Sequence, residues 1–307
     1  MKKIGFTIFL AIFSATLFCQ QAHQFVCDSA YSYQWDPDMN DWALVGRFYY
    51  EYDGNGNEIG DFSYYWDSET NVWVGEFHNT RVYDVNGNKT ESISYVWNYD
   101  TWDWIAFTRY IWNYDRNGNQ TERTVYSWDP EINGWQGEDR TVSTYDSNDR
   151  IVESYRYTWD PEISEWVVTS HGMATYDTDG NRTEVVAYEW DSDTNDWIYS
   201  QKSYHLYDVN GNEVEYGVYH WDVEIEDWKG QLRNVITYNS NGGPTEVIHY
   251  RWNNDTWDWI EYYRFINNYD LNGNQTESYN YAWDAATSDW NKINHRVYTY
   301  DVDGNKI

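Results

Sequence analysis

The sequence predicts an all-β protein, an antiparallel up-and-down β-hairpin repeat array folded as an extended twisted or spiralling sheet or solenoid. Three observations predict it. A Tyr-Asp phrase returns every 31 residues without insertion or deletion, at Tyr52, Tyr83, Tyr114, Tyr145, Tyr176, Tyr207, Tyr238, Tyr269 and Tyr300. A fixed period of this size marks a repeat architecture. The segments between the phrases are rich in Tyr, Trp, Val, Ile and Thr and lack helical spacing, which suits a pleated surface. Each of the nine 31-residue units also holds two clusters of turn-forming residues, so each contains two strands and two reversals.

The chain opens with Met1-Lys2-Lys3 and an apolar run from Ile4 to Phe18. This is the charged start and short hydrophobic stretch of a secretory signal peptide, too short for a membrane span. The signal is read as residues 1–22 and the repeat array as residues 23–307. Phe18 is not the small residue that lipidation of Cys19 would need before it. Once Cys19 leaves with the signal, Cys27 is the sole cysteine, so no intrachain disulfide can form and stability must come from the array. With 51 acidic residues against 20 basic ones, a formal net charge of -31 and a pI near 4.3, the chain repels nucleic acid and anionic membrane surfaces. An aromatic fraction of 21% rules out a disordered chain, since such chains are poor in aromatics.

Within each unit the first strand carries a tyrosine and, two residues on, a tryptophan, as in Tyr64 and Trp66 or Tyr95 and Trp97. A second tryptophan follows seven residues later, Trp73 and Trp104 in these units, and the two columns account for eighteen of the 21 tryptophans. Between the tryptophans lies a turn cluster such as Asp129-Pro130-Glu131-Ile132-Asn133-Gly134. A basic column follows: Arg47, His78, Arg109, Arg140, His171, Lys202, Arg233, Arg264 and His295. The phrase comes next, and Asp84-Val85-Asn86-Gly87 fits a type I turn closed by a glycine of positive φ with a one-residue bulge. Asp149 stands where the other phrases have that glycine, and Asn239 replaces the phrase aspartate. Eight residues after the phrase tyrosine stands a glutamate column, Glu91, Glu122, Glu153, Glu184, Glu215, Glu246 and Glu277, interrupted by Gly60.

Turn length decides which columns share a face, because a one-residue slip flips a whole strand. With the three-residue bulged loop, the phrase tyrosine, both tryptophans, the first-strand tyrosine and the glutamate point to one side. Trp66 and Trp73 then face each other, and the tryptophans form a ladder along one margin of the sheet. The basic column falls on the opposite face, beside the apolar column of Ile111 and Val142. Two loops, Asn98-Tyr99-Asp100-Thr101-Trp102-Asp103 and Asn253-Asn254-Asp255-Thr256-Trp257-Asp258, add a tryptophan at the tip, five units apart.

Tyr50-Glu51-Tyr52-Asp53-Gly54-Asn55-Gly56-Asn57 and Tyr298-Thr299-Tyr300-Asp301-Val302-Asp303-Gly304-Asn305 resemble the YD repeat of Rhs proteins, insecticidal toxin complexes and teneurins. That resemblance implies hairpins spiralling into a shell, in some members around a toxin. Nearly all of residues 23–307 is more similar to the tryptophan-rich YD-like repeat arrays of secreted Bacteroidota proteins, which often end in a type IX secretion sorting domain. This likeness implies a secreted or cell-surface location with a sorting domain beyond Ile307, where the shell resemblance implies an effector instead.

The residues themselves contain no nucleophile elbow, no His or Cys cluster at metal-ligand spacing and no phosphate loop. An active site needs one asymmetric set of groups, whereas Glu and the basic residues recur in nearly every unit. No enzyme, cofactor or metal is therefore expected. Asp84, Asn86 and Asn88 have the alternate spacing of an EF-hand start, but the twelfth position is Tyr95, not an acid, so turn chemistry is the better reading. The expected function is a non-enzymatic secreted stalk or adhesin-like module. Its partners are extracellular glycans or another surface protein, with Trp66, Trp73, Trp97, Trp104, Trp102 and Trp257 as the candidate glycan-contacting residues. The alternative is a shell presenting a C-terminal effector.

Overall fold

A computed structural model describes Ser29–Ile307; the signal segment, Cys19 and Cys27 lie outside the described residues. The described residues form eighteen β-strands and no helix. Each repeat is one hairpin: β1 (Ser29–Asp36) has eight residues and pairs with β2 (Asp41–Tyr52), and most repeats have a first strand of ten residues and a second of twelve, as in β3 (Glu58–Asp67), β4 (Val72–Tyr83), β5 (Lys89–Asn98) and β6 (Asp103–Tyr114). The pattern continues at the same interval to the last strand, Asp289–Val297.

The chain divides into two compact units, one running to Ser143 and including Arg156–Val167, the other made of Thr144–Tyr155 and Val168–Ile307. In the first, β1 to β6 pair antiparallel in chain order, and the next two strands continue the meander. In the second, the strands from Ser170 onward pair in the same way up to Val297.

The phrase makes the turn that its residues predict. Gly87 N–H donates to the Asp84 carbonyl at 3.1 Å, Asp84 N–H donates to the Asn88 carbonyl at 2.9 Å, and Gly87 has φ 83°. Asp149 takes the same left-handed conformation, φ 61°. The carboxylate completes the turn: Asp84 Oδ1 accepts the N–H groups of Asn86 and Asn88, both at 2.9 Å, and Oδ2 accepts Asn88 Nδ2 at 3.0 Å. The Asn88 side-chain amide, followed by these backbone donors, holds the Asp84 carboxyl below the usual carboxylate range. The same bonds recur at Asp53, Asp115, Asp177, Asp208, Asp270 and Asp301. Both oxygens of each aspartate are thus engaged within its own turn. At Asp146 the guanidinium of Arg150 takes the place of the asparagine.

The other reversal is a four-residue loop. Asn98 pairs with Asp103, and Trp102 N–H donates to the Asn98 carbonyl at 2.9 Å. Little is fully buried. Among the described residues the buried apolar side chains are Val74, 1% exposed, and Val125, 6% exposed. Stability therefore lies in neighbour-to-neighbour contacts along each sheet rather than in a closed core.

One such contact is a close approach. A Cβ on Gly75 would meet Trp97 Cε3 at 2.4 Å and two atoms of Trp104 at 2.8 Å, so the indole pair of the following repeat rests on the bare backbone. Gly137 and Gly230 have the same environment. Gly75→Ala is expected to cost about 1–3 kcal/mol through overpacking. Gly54→Ala, with nothing within 4 Å of the new methyl, should change stability by less than about 0.5 kcal/mol. Urea titration of the two variants checks the contrast.

The turn aspartates also set an acid limit. Their folded pKa lies below the unfolded value, so their contribution is complete above the unfolded pKa and is lost as pH falls through the folded one. Partial neutralisation of the net charge of -31 works in the opposite sense by relieving self-repulsion. The melting temperature should therefore change little from about pH 7 to 5 and fall below about pH 4, where the turn carboxylates protonate. A profile that is flat or rising down to about pH 2.5 would contradict this.

Candidate functional site, an aromatic and charged face

All nine tryptophan pairs are in contact, and the eight with a defined register sit directly opposite each other, Trp66 facing Trp73 and Trp97 facing Trp104. The predicted common facing of each pair holds. Ring centroids lie 5.1 to 5.6 Å apart at interplanar angles of 63° to 82°. This is the edge-to-face geometry that the ring quadrupole favours. The ladder differs from a stack of parallel indoles because consecutive pairs are joined through another residue. Tyr64 meets Trp97 at 6.4 Å and Trp104 at 5.9 Å, and Tyr219 does the same to Trp252 and Trp259. Trp66, Trp73, Trp97 and Trp104 are half-buried.

The predicted position of the basic column is corrected. It lies on the tryptophan face, where Arg47 covers the rings of Tyr64 and Trp73 at 4.9 and 4.5 Å and Lys202 covers Trp228 at 4.8 Å. The reason is an unpaired residue three positions after the second tryptophan. Tyr64 pairs with Gly75 but Ser63 pairs with Phe77, leaving Glu76 outside the ladder. Phe107, Glu138, Ser200, Gln231, Tyr262 and Ile293 do the same in other repeats. A second bulge follows the phrase, where Tyr83 pairs with Lys89 and Val82 with Glu91, so Thr90 is the extra residue.

Each bulge reverses the alternation. The stretch between them is inverted relative to expectation, so the basic and apolar columns join the tryptophans and the phrase tyrosine falls out of phase with them. The phrase tyrosine instead ties adjacent turns together. Tyr83 Oη donates to the Glu58 carbonyl at 3.1 Å and Tyr114 Oη to the Lys89 carbonyl at 2.9 Å.

Inversion brings basic residue and glutamate together. Arg109 Nε donates to Glu91 at 2.6 Å, Arg140 to Glu122 at 2.6 Å, Arg233 to Glu215 at 2.8 Å and Arg264 to Glu246 at 2.5 Å, while His171 lies 2.9 Å from Glu153. The Arg233 hydrogen bond lowers the Glu215 carboxyl, and that same bond raises the Arg233 guanidinium. Burial, then the 2.6 Å bond that Tyr204 Oη donates to Glu215, pushes the Tyr204 phenol up. Where Gly60 removes the glutamate, the basic position is His78, and it stacks on Phe62 at 3.9 Å and Tyr95 at 4.6 Å. Six of the seven glutamates of the column are thus engaged by the basic residue of the neighbouring strand. Among the described residues no three His, Cys, Asp or Glu side chains gather as a metal site.

The tip tryptophans are the most exposed indoles among the candidate residues, Trp102 at 50% and Trp257 at 42%. They meet the pairs edge-on, Trp102 against Trp97 at 6.3 Å and Trp257 against Trp252 at 5.9 Å.

No protein-family model matches the chain, and no curated protein matches it. Among solved structures it is similar to a Bacteroides fragilis protein of unknown function, 21% identical with a TM-score of 0.34, over 41% of this chain and 90% of that one. It is similar to a DUF3836 family protein from Bacteroides vulgatus, 17% identical with a TM-score of 0.26, over 30% of this chain and 90% of that one. The Photorhabdus luminescens Tc holotoxin pore is 10% identical with a TM-score of 0.30, over 91% of this chain and 18% of that one. No helix among the described residues is long and apolar enough to cross a membrane.

The Arg233–Glu215 pair is only part-buried, with side chains 27% and 20% exposed. A double-mutant cycle with Arg233→Ala and Glu215→Ala should give a coupling of about 0.2–1 kcal/mol. A coupling above about 2 kcal/mol would mean that the pair behaves as a desolvated one.

Proposed function

We propose that the chain is a secreted, non-enzymatic repeat module that serves as a stalk or adhesin-like element at the cell surface and binds glycans through exposed aromatic side chains. One observation carries this reading. The residues able to do acid-base chemistry, the glutamates and the basic column, recur in nearly every repeat, and six of the glutamates are paired with the basic residue of the neighbouring strand. Glu91 with Arg109, Glu122 with Arg140 and Glu246 with Arg264 are the same arrangement in different repeats. Catalysis needs a unique convergent set; a surface that repeats its chemistry suits a scaffold or a ligand that itself repeats. Indoles and phenols with part of their area in water suit sugar rings, since they offer an apolar face with a polar edge.

The test is a glycan-array screen of the purified chain, followed by tryptophan fluorescence titration with each positive ligand. Binding with a fluorescence change is expected. Silence on the array and in titration would remove the glycan reading.

A further inference from the structure

The loops that join paired tryptophans share one backbone feature and split on one residue. In each loop the last residue is left-handed. In seven it is Asn40, Asn71, Asn133, Ser164, Asn195, Glu226 or Ser288, and in two it is Trp102 (φ 56°) or Trp257 (φ 54°). Left-handed backbone is tolerated best by asparagine among non-glycine residues and poorly by bulky ones, at a cost that persists only where something offsets it.

Packing offsets little here. Trp102 and Trp257 touch Trp97 and Trp252 edge-on and leave 50% and 42% of their surface in water. The loop chemistry changes with them. Seven loops begin with an aspartate, Asp36, Asp67, Asp129, Asp160, Asp191, Asp222 or Asp284, whereas these two begin with Asn98 and Asn253. Around each tip indole stand exposed oxygen-bearing side chains, Asp100, Thr101 and Asp103 in one loop and Asp255, Thr256 and Asp258 in the other.

We propose that Trp102 and Trp257 are the residues that contact sugar, each stacking its exposed indole on a pyranose ring of a neutral polysaccharide while the loop carboxylates and threonine hydroxyl hydrogen-bond the sugar hydroxyls. This rests on the glycan-binding reading above and narrows it. The ladder indoles Trp66, Trp73, Trp97 and Trp104 are excluded from contact because each is half-buried, whereas both tip indoles are exposed. Neutrality of the ligand follows from the net charge of -31, which opposes uronate or sulfate groups. Each compact unit carries one tip, Trp102 in the first and Trp257 in the second.

The experiment uses the full chain in affinity gel electrophoresis against laminarin, xyloglucan, galactomannan and starch, with alginate and heparin as anionic counterparts. The variants are Trp102→Asn, Trp257→Asn and their combination, with Trp66→Ala as the ladder control. Asparagine already closes four sibling loops, so the melting temperature should hold or rise.

At least one neutral polymer should retard the wild type, and the double variant should lose about tenfold or more in affinity. Each single variant should bind between the two, and the Trp66→Ala variant should bind as the wild type does. Wild-type retardation with an unaffected double variant, loss confined to Trp66→Ala, or preference for the anionic polymers would overturn the tip proposal and leave glycan binding standing. No retardation by any polymer, with a silent glycan array, would overturn both.

Discussion

One unpaired residue in the second strand of eight of the hairpins decides what the sheet displays. A strand alternates its side chains strictly, so a single extra residue sends everything after it to the other face. In this chain the extra residue after each tryptophan pair delivers Arg109, Arg140, Arg233 and Arg264 to the glutamates and aromatic rings. The second bulge, after the phrase, restores the alternation in time for the next Tyr-Trp pair. Without both, the sheet would carry aromatic side chains and carboxylates on one side and unpaired cations on the other.

With so little apolar surface fully buried, the fold is held by contacts that each link one repeat to the next. Backbone ladders, tyrosine hydroxyls on carbonyls 25 residues earlier, edge-to-face indoles and part-buried Arg–Glu pairs each contribute modestly. Their repetition provides the stability that a closed core supplies elsewhere. The close seating of Trp97 and Trp104 on Gly75 shows where this economy leaves no slack. Elsewhere it does: Tyr199 occupies the equivalent place and lies 5.1 and 5.3 Å from Trp221 and Trp228.

The same repetition bears on function. A side chain that recurs in every hairpin with the same neighbour-to-neighbour partner is explained by packing, and the ladder indoles are of this kind. Side chains that break the period ask for another explanation. Trp102 and Trp257 do so in an unfavourable backbone conformation and with much of their surface in water.

Local features were legible in the sequence because local chemistry specifies them. The 31-residue period, the hairpins, the phrase turn with its left-handed glycine, Asp149 in that glycine's role and the facing of Trp66 and Trp73 follow from turn residues and alternation within a few positions. The face taken by the basic column was not legible. The bulge that sets it is occupied by Glu76, Phe107, Glu138, Ser200, Gln231, Tyr262 and Ile293 in different repeats, with no shared residue type to announce it. It is imposed by pairing across strands, a non-local constraint. Likewise the sequence by itself determined that Trp102 and Trp257 stand at loop tips. Only the tertiary structure decided that their backbone is left-handed and their indoles half in water, because exposure depends on what the neighbouring hairpins leave uncovered.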